Sequence, residues 1–177
     1  MAAALSRFAS SLRGGRALRC AILALGLAAA LAACAPRQQP PGPLAATPMP
    51  PRLESDRIIA ADGSELPLRR WLPDAPQPRA VVVALHGFND YSNAFEALGT
   101  RLSVAGIAVY AWDQRGFGAT AHPGVWAGEE RLIGDLRTGL ALVGERHPGV
   151  PLYVLGESMG GAVVLAAWAE AKLPVAG

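Results

Sequence analysis

Only two cysteines occur in the 177 residues, Cys20 and Cys34, and none follows them. A domain built from the rest of the chain holds no disulfide and no thiolate metal site, so its stability rests on its core. Histidine is scarce as well, at three, and none lies beyond His147. Aromatic residues make up 6% and charged residues 17% of the chain, against 51% hydrophobic, which describes one domain able to bury a core. A net excess of positive charge is missing from most of the chain. Of 16 basic residues, Arg7, Arg13, Arg16 and Arg19 fall in the first twenty; from Cys34 onward 12 basic face 14 acidic residues, a net charge of about −2. Nothing in that balance calls for nucleic acid. The longest apolar run, Cys20 to Ala33, has 14 residues, short of the roughly 20 that cross a bilayer as a helix.

An arginine-bearing start followed by a short apolar run suits the hydrophobic region of a secretory signal peptide. The run ends Leu31-Ala32-Ala33-Cys34, small residues leading into a cysteine, which resembles the lipobox of bacterial lipoproteins. That resemblance implies a signal over 1–33, cleavage before Cys34 and lipidation of Cys34 as a membrane anchor. Ala35, where aspartate often signals inner-membrane retention, implies sorting to the outer membrane, facing the periplasm. Ordinary cleavage at the alanine-rich site and an uncleaved membrane anchor are the competing readings. Residues 34–53 follow with Pro36, Pro40, Pro41, Pro43, Pro48, Pro50 and Pro51 and few large apolar side chains. This composition favours extended polyproline conformation, and predicts a tether with a reach of about 50 Å.

The folded part is expected over 54–177. Residues 57–60, the turn signal Asp62-Gly63, and 66–72 predict a β-hairpin, with Pro67 placing the second arm at an edge or at a strand start. The run Ala80-Val-Val-Val-Ala-Leu85 predicts a parallel strand covered on both faces, at the centre of the sheet. A helix is expected over 93–104, capped by Ser92 or Asn93 and stopped by Gly106, then a buried strand over 107–112. A helix over 129–147 has acidic residues in its first turn and Arg146-His147 in its last, the favourable polarity for its dipole. Strand 151–155 and helix 159–172 complete the series. Strands alternating with helices imply a mostly parallel sheet with helices on both faces.

Between that last strand and helix lies Gly156-Glu157-Ser158-Met159-Gly160-Gly161. A G-x-S-x-G at such a junction describes a turn so tight that its flanking positions tolerate no side chain, lifting the serine hydroxyl at the C-terminal edge of the sheet. An ordinary glycine-rich turn is the competing reading of the motif alone. Two further segments end strands on the same edge: His86-Gly87-Phe88-Asn89-Asp90 and Trp112-Asp113-Gln114-Arg115-Gly116-Phe117-Gly118-Ala119-Thr120. Aromatic residues Phe88, Tyr91, Phe117 and Trp126 fall in or near these loops.

The three segments in this order resemble the monoacylglycerol lipase and lysophospholipase branch of the α/β-hydrolases, also labelled serine aminopeptidase-like, over roughly 56–168. The resemblance implies a truncated α/β-hydrolase fold. It implies Ser158 as nucleophile, the backbone N–H groups of Phe88 and Met159 as oxyanion donors, and a small acyl ester as substrate. It implies no metal and no cofactor. His86 is implied to be structural rather than a base, and Asp113 and Arg115 to brace their loop. In this family the triad carboxylate and histidine follow the serine, yet 159–177 contain no histidine and no aspartate, and Glu170 sits within the helix. The expectation is therefore the N-terminal part of a serine ester hydrolase, inactive and poorly soluble as it stands, with the strand before Ser158 left as an unpaired apolar edge. The alternative is a non-catalytic lipoprotein that uses a degenerate hydrolase half for binding.

Overall fold

The computed structural model describes residues 21–27 and 38–177. Residues 21–27 are helical, and among the described residues no helix is long and apolar enough to cross a membrane. The expected lipidation at Cys34 lies outside the described residues. Residues 38–177 form one compact unit.

Six strands make its sheet, in the order β1-β2-β3-β5-β4-β6: β1 (Arg52–Leu53), β2 (Arg57–Ile59), β3 (Glu65–Trp71), β4 (Ala80–Leu85), β5 (Ile107–Trp112) and β6 (Leu152–Gly156). The first three pair antiparallel, as does β3 with β5, while β4 is parallel to both β5 and β6. The parallel arrangement expected from Ala80 onward thus holds for β5-β4-β6, and the hairpin makes the other half antiparallel. Helix α1 (Glu96–Val104) links β4 to β5, α2 (Glu129–Arg146) links β5 to β6, and α3 (Met159–Glu170) follows β6.

The side-chain alternation along β4 and β5 builds two cores. Val81, Val83, Leu85, Ala108, Tyr110 and Trp112 pack with Leu132, Leu136, Leu140 and Val143 of α2 and Val163 and Ala167 of α3. Ala84, Val109 and Ala111 point the other way, onto Phe95, Leu98 and Leu102 around α1. Period-two strands covered on both faces explain why their sequences read as unbroken apolar runs. The path from β4 to β5 and the path from β5 back across to β6 run in opposite directions on opposite faces, so both crossovers keep one hand. The chain therefore diverges at the C-terminal ends of β4 and β6, the crevice where open α/β sheets bind ligands.

Four expectations are corrected. Pro67 does not mark an edge, because β3 is interior. It sits opposite the point where β5 has ended: its carbonyl accepts from the Asp113 amide, 2.8 Å, and the missing N–H falls past the last residue of β5. The α1 region opens as a short 3-10 turn over Ser92–Phe95 with no side-chain cap, since the Ser92 amide is taken by Asp113. The edge of β6 is partly paired: the Ala176 amide donates to Leu152 O, 2.7 Å, and Val154 N–H to Gly177 O, 2.9 Å. Finally, 38–53 are docked rather than free, so the reach of about 50 Å does not apply.

The docked strap is held by polar main-chain contacts. Gln38 bridges Trp126, the Gln39 amide donates to Trp126 O, and the Gln39 side chain donates to Val125 O, 2.8 Å. Arg131 donates to the carbonyls of Gln39 and Pro40, and Leu44 and Met49 donate to Asp62 O and Ala61 O around the hairpin turn. Prolines suit such a strap because they have no N–H to leave unpaired while their carbonyls still accept. Composition signalled the extended conformation; the surface that receives it is assembled from residues far along the chain.

Two glycines of α2 have opposite surroundings. A Cβ on Gly139 would lie 2.5 Å from the ring of Trp112, which is fully buried, whereas one on Gly134 would meet nothing. Gly139→Val is expected to cost about 1–3 kcal/mol through overpacking, and Gly134→Ala to stabilise by up to about 1 kcal/mol through helix propensity. Urea denaturation midpoints of the two variants check both signs.

Candidate active site

Ser158 lies between β6 and α3 with φ +48° and ψ −111°, a conformation that L residues adopt only when the surrounding structure compels it. What compels it is backbone contact. The Glu157 amide donates to Leu85 O, 3.0 Å, continuing the β4–β6 ladder by one bond, while Gly160 N–H turns back onto Glu157 O, 2.8 Å. Gly160 packs on the Leu85 carbonyl so closely that a Cβ there would overlap it, and one on Gly156 would come within 2.6 Å of the Gly160 backbone. The serine itself is exposed.

The loop after β4 faces this turn. An added Cβ on Gly87 would stand 3.4 Å from Ser158 Cβ, so the backbone leading to Phe88 passes directly beside the serine. Among the described residues, neither the Phe88 nor the Met159 N–H is used in a turn, loop or cap bond of the backbone. Both N–H groups belong to backbone next to Ser158, Met159 by sequence and Phe88 through Gly87, and both are left without a backbone acceptor there.

His86 is fully buried, and both of its ring nitrogens are engaged. Nε2 accepts the Gln114 amide, 3.0 Å, which places the ring proton on Nδ1, where it donates to Gly87 O, 2.8 Å. Gln114 closes the clamp by donating its side-chain amide to His86 O, 2.7 Å. Burial pushes the imidazole below its ordinary pKa, against the opposing pull of the Gly87 carbonyl and nearby carboxylates, so the ring is neutral at pH 7. His86 therefore braces the loop and has no free nitrogen for Ser158. His147 receives or donates a bond with the Tyr110 hydroxyl, 2.8 Å, after α2. His122 lines a cleft with Pro40, Pro41 and Arg115. None of the three is bonded to the serine among the described residues.

Asp113 and Arg115 hold the third loop, but to separate partners. Asp113 accepts the amides of Ser92 and Ala119, both at 2.9 Å, joining the α1 entry to the loop. Arg115 is buried and pairs twice: with both oxygens of Asp135 on α2, 2.7 and 2.8 Å, and with Asp62 in the hairpin turn, 2.6 and 3.1 Å, adding the Ser64 hydroxyl. Asp62, Gln114, Asp135 and Gln39 were not among the expected residues. Asp135 alone left a signal, as an acid three residues after Leu132 on the apolar stripe of α2. Of the four loop aromatics, Phe88, Phe117 and Trp126 converge on one small cleft of about 110 Å³, with the Phe88 and Phe117 rings edge to face at 5.4 Å. Tyr91 faces a different cleft, beside Asp56 and Pro67.

A sheet whose parallel half carries a serine on a strand-to-helix turn, met by the glycine loop after the neighbouring strand, defines an α/β-hydrolase. A family model described as "Serine aminopeptidase, S33" matches residues 76–177, and the chain belongs to that family. It is 37% identical to a monoacylglycerol lipase of Mycolicibacterium smegmatis over 97 residues, covering 54% of this chain and 34% of the relative. With human monoglyceride lipase it shares 29% identity over 127 residues, 68% of this chain and 40% of the relative. The chain thus spans between a third and two-fifths of these relatives. A soluble variant of the Saccharomyces cerevisiae monoglyceride lipase, bound to a substrate analog, superposes with a TM-score of 0.57 at 26% identity, over 75% of this chain and 44% of that one. A thermostable carboxyl esterase from Bacillus coagulans, in complex with glycerol, gives 0.57 at 25% identity, over 70% and 40%.

The ion cluster at Arg115 gives a test with a sign. Burial raises the Asp62 carboxyl, but the bonds from Arg115 and Ser64 outweigh it and hold it at about 2. Its folded value lies below the unfolded value of about 3.9, so its stabilisation is complete above that value and is lost as pH falls toward 2. Arg115→Met leaves two carboxylates without their cation and is expected to cost about 3–5 kcal/mol at pH 7. Without the cation both carboxylates shift toward their protonated form, Asp135 the more because burial already raises it, so the gap in melting temperature between parent and variant should narrow as pH falls from 7 to 5. Thermal melts of the two proteins across that range check the narrowing.

Proposed function

We propose that this chain supplies the nucleophile and oxyanion site of a serine ester hydrolase acting on small acyl esters, of the monoacylglycerol, lysophospholipid or simple ester class. The observation that carries the reading is the compelled backbone of Ser158 beside the Gly87-Phe88 loop, because a strained, exposed serine held against a second strand-end loop has no evident structural use. In the reaction the Ser158 Oγ bonds to the ester carbonyl carbon, its proton passes to a base, and the carbonyl oxygen becomes an oxyanion held by the Phe88 and Met159 N–H groups. The C–O bond to the alcohol then breaks, the alcohol takes the proton, and water later releases the acid from Ser158 by the same steps. No histidine and no aspartate lie in 159–177, His86 is committed to Gln114 and Gly87, and His147 is bonded to Tyr110, so the base this reading requires is not one that the described contacts bring to Ser158.

A second reading, binding without turnover, is favoured by that same lack of a histidine bonded to Ser158. The two separate cleanly. In the full-length protein, Ser158→Ala is expected to lower nitrophenyl butyrate turnover by at least about a thousandfold while the melting temperature stays near that of the parent. Turnover unchanged by this substitution would exclude Ser158 as nucleophile, and a full-length parent with no turnover would favour the binding role.

We further propose that the protein is exported and held by lipid on Cys34, on the strength of the apolar run that ends in Leu-Ala-Ala-Cys. Cys34→Ala should abolish labelling by a radioactive fatty acid and move the protein from the membrane to the soluble fraction. Retention in the membrane with an unprocessed N-terminus would favour a signal anchor instead.

A further inference from the structure

The docked strap changes where a lipid on Cys34 would hold the domain. Only residues 35–37 stand between Cys34 and Gln38, and Gln38 is already fixed on Trp126. Four residue steps span at most about 14 Å, whereas a compact unit of this size is about 35–40 Å across. The leash is shorter than the domain is wide, so the part of the domain near Gln38 must lie at the bilayer.

That part is the rim of the candidate active site. Trp126 lines the same cleft as Phe88, Asn89 and Phe117, and the backbone before Phe88 passes beside Ser158. Phe88 is 63% exposed at this rim. Its charges do not account for attraction to a membrane: Glu129 and Glu130 share a cleft with Gln38 and with Arg131, whose guanidinium is occupied by the strap carbonyls. Among the described residues that line these two clefts, Arg131 is the sole basic side chain, so no basic patch there draws the rim toward anionic lipid. The orientation follows from chain length and docking site alone.

We propose that the strap Gln38–Pro51 is an orienting device that turns the mouth at Phe88, Asn89 and Trp126 toward the bilayer holding the chain's own lipid, so that the site draws on acyl esters lying in that membrane. This rests on the reading of Cys34 as a lipid anchor and names the source of the substrate proposed for Ser158. A free tether of 34–53 would leave every face equally able to meet the membrane. The docked strap removes that freedom before any ester is bound.

The experiment uses the chain processed from its own signal and reconstituted in phosphatidylcholine vesicles containing nitroxide-labelled lipid. Because no cysteine follows Cys34, a single introduced thiol can carry an environment-sensitive fluorophore. Asn89→Cys places it at the mouth, and Glu129→Cys beside Gln38 and Trp126 on an independent element. Asp74→Cys places it in the loop before β4, at the opposite edge of the sheet. Quenching by the lipid is expected to be at least about twofold stronger at 89 and 129 than at 74, and insertion of twenty Gly-Ser residues between Arg37 and Gln38 should abolish the difference. Equal quenching at the three positions, or an asymmetry that survives the insertion, would overturn the proposal while leaving the anchor and the Ser158 chemistry standing. A processed chain that fails to stay with the vesicles would overturn the anchor, and with it the proposal. Loss of esterase function in Ser158→Ala is read separately and bears on neither.

Discussion

The carbonyl of Leu85 is the point on which the site depends. It ends β4, accepts the Glu157 amide across from β6, and is covered by Gly160 at a distance that leaves no room for a Cβ. Those two contacts leave Ser158 no relaxed conformation, because the chain must reverse from strand to helix within three residues while staying bonded to the neighbouring strand. The resulting strain is offset by the sheet beneath it. Val81, Val83 and Leu85 are nearly wholly buried, and the β4–β6 register continues without a break up to the turn. The serine is therefore presented on a turn bonded into the buried centre of the sheet.

Around that point, each loop of the C-terminal edge is tied down by a polar group whose own needs are met. His86 clamps the first loop to Gln114, Asp113 joins the loop after β5 to the start of α1, and Arg115 carries that loop between the hairpin and α2. These ties cost desolvation, and such groups contribute more to holding one arrangement than to net stability. Their effect is positional: with the three loops fixed, Phe88, Phe117 and Trp126 meet in one cleft instead of packing separately. The strap uses the same edge, since Gln39 bonds to Val125 and Trp126 within the loop that Arg115 supports.

On the other side of α3 the chemistry is different. Leu165 and Trp168 are exposed on the helix, as are Tyr153 and Leu155 on β6, a strand whose outer edge is met, among the described residues, by Ala176 and Gly177. Sheets rarely leave such a strand uncovered, because its ladder groups and apolar side chains together favour association.

Much of the fold was legible from residue order. Apolar runs bounded by glycine and proline placed β4, β5, β6, α2 and α3 within a residue or two, and α1 within three, because a strand buried on both faces and an amphipathic helix each leave a local pattern. The G-x-S-x-G turn was legible for the same reason: the close approach at Gly156 and Gly160 excludes every larger residue, so the sterics are written into composition. What tertiary structure alone decided were the meetings between distant segments. Nothing local to Pro67 shows that β5 stops opposite it, nothing local to Arg115 names Asp62 and Asp135 as its partners, and nothing in a proline-rich stretch shows that Val125, Trp126 and Arg131 will be assembled to receive it. Local pattern reports the conformation a segment prefers; whether that segment is free or bound is set by a surface that exists only once residues tens of positions apart have been brought together.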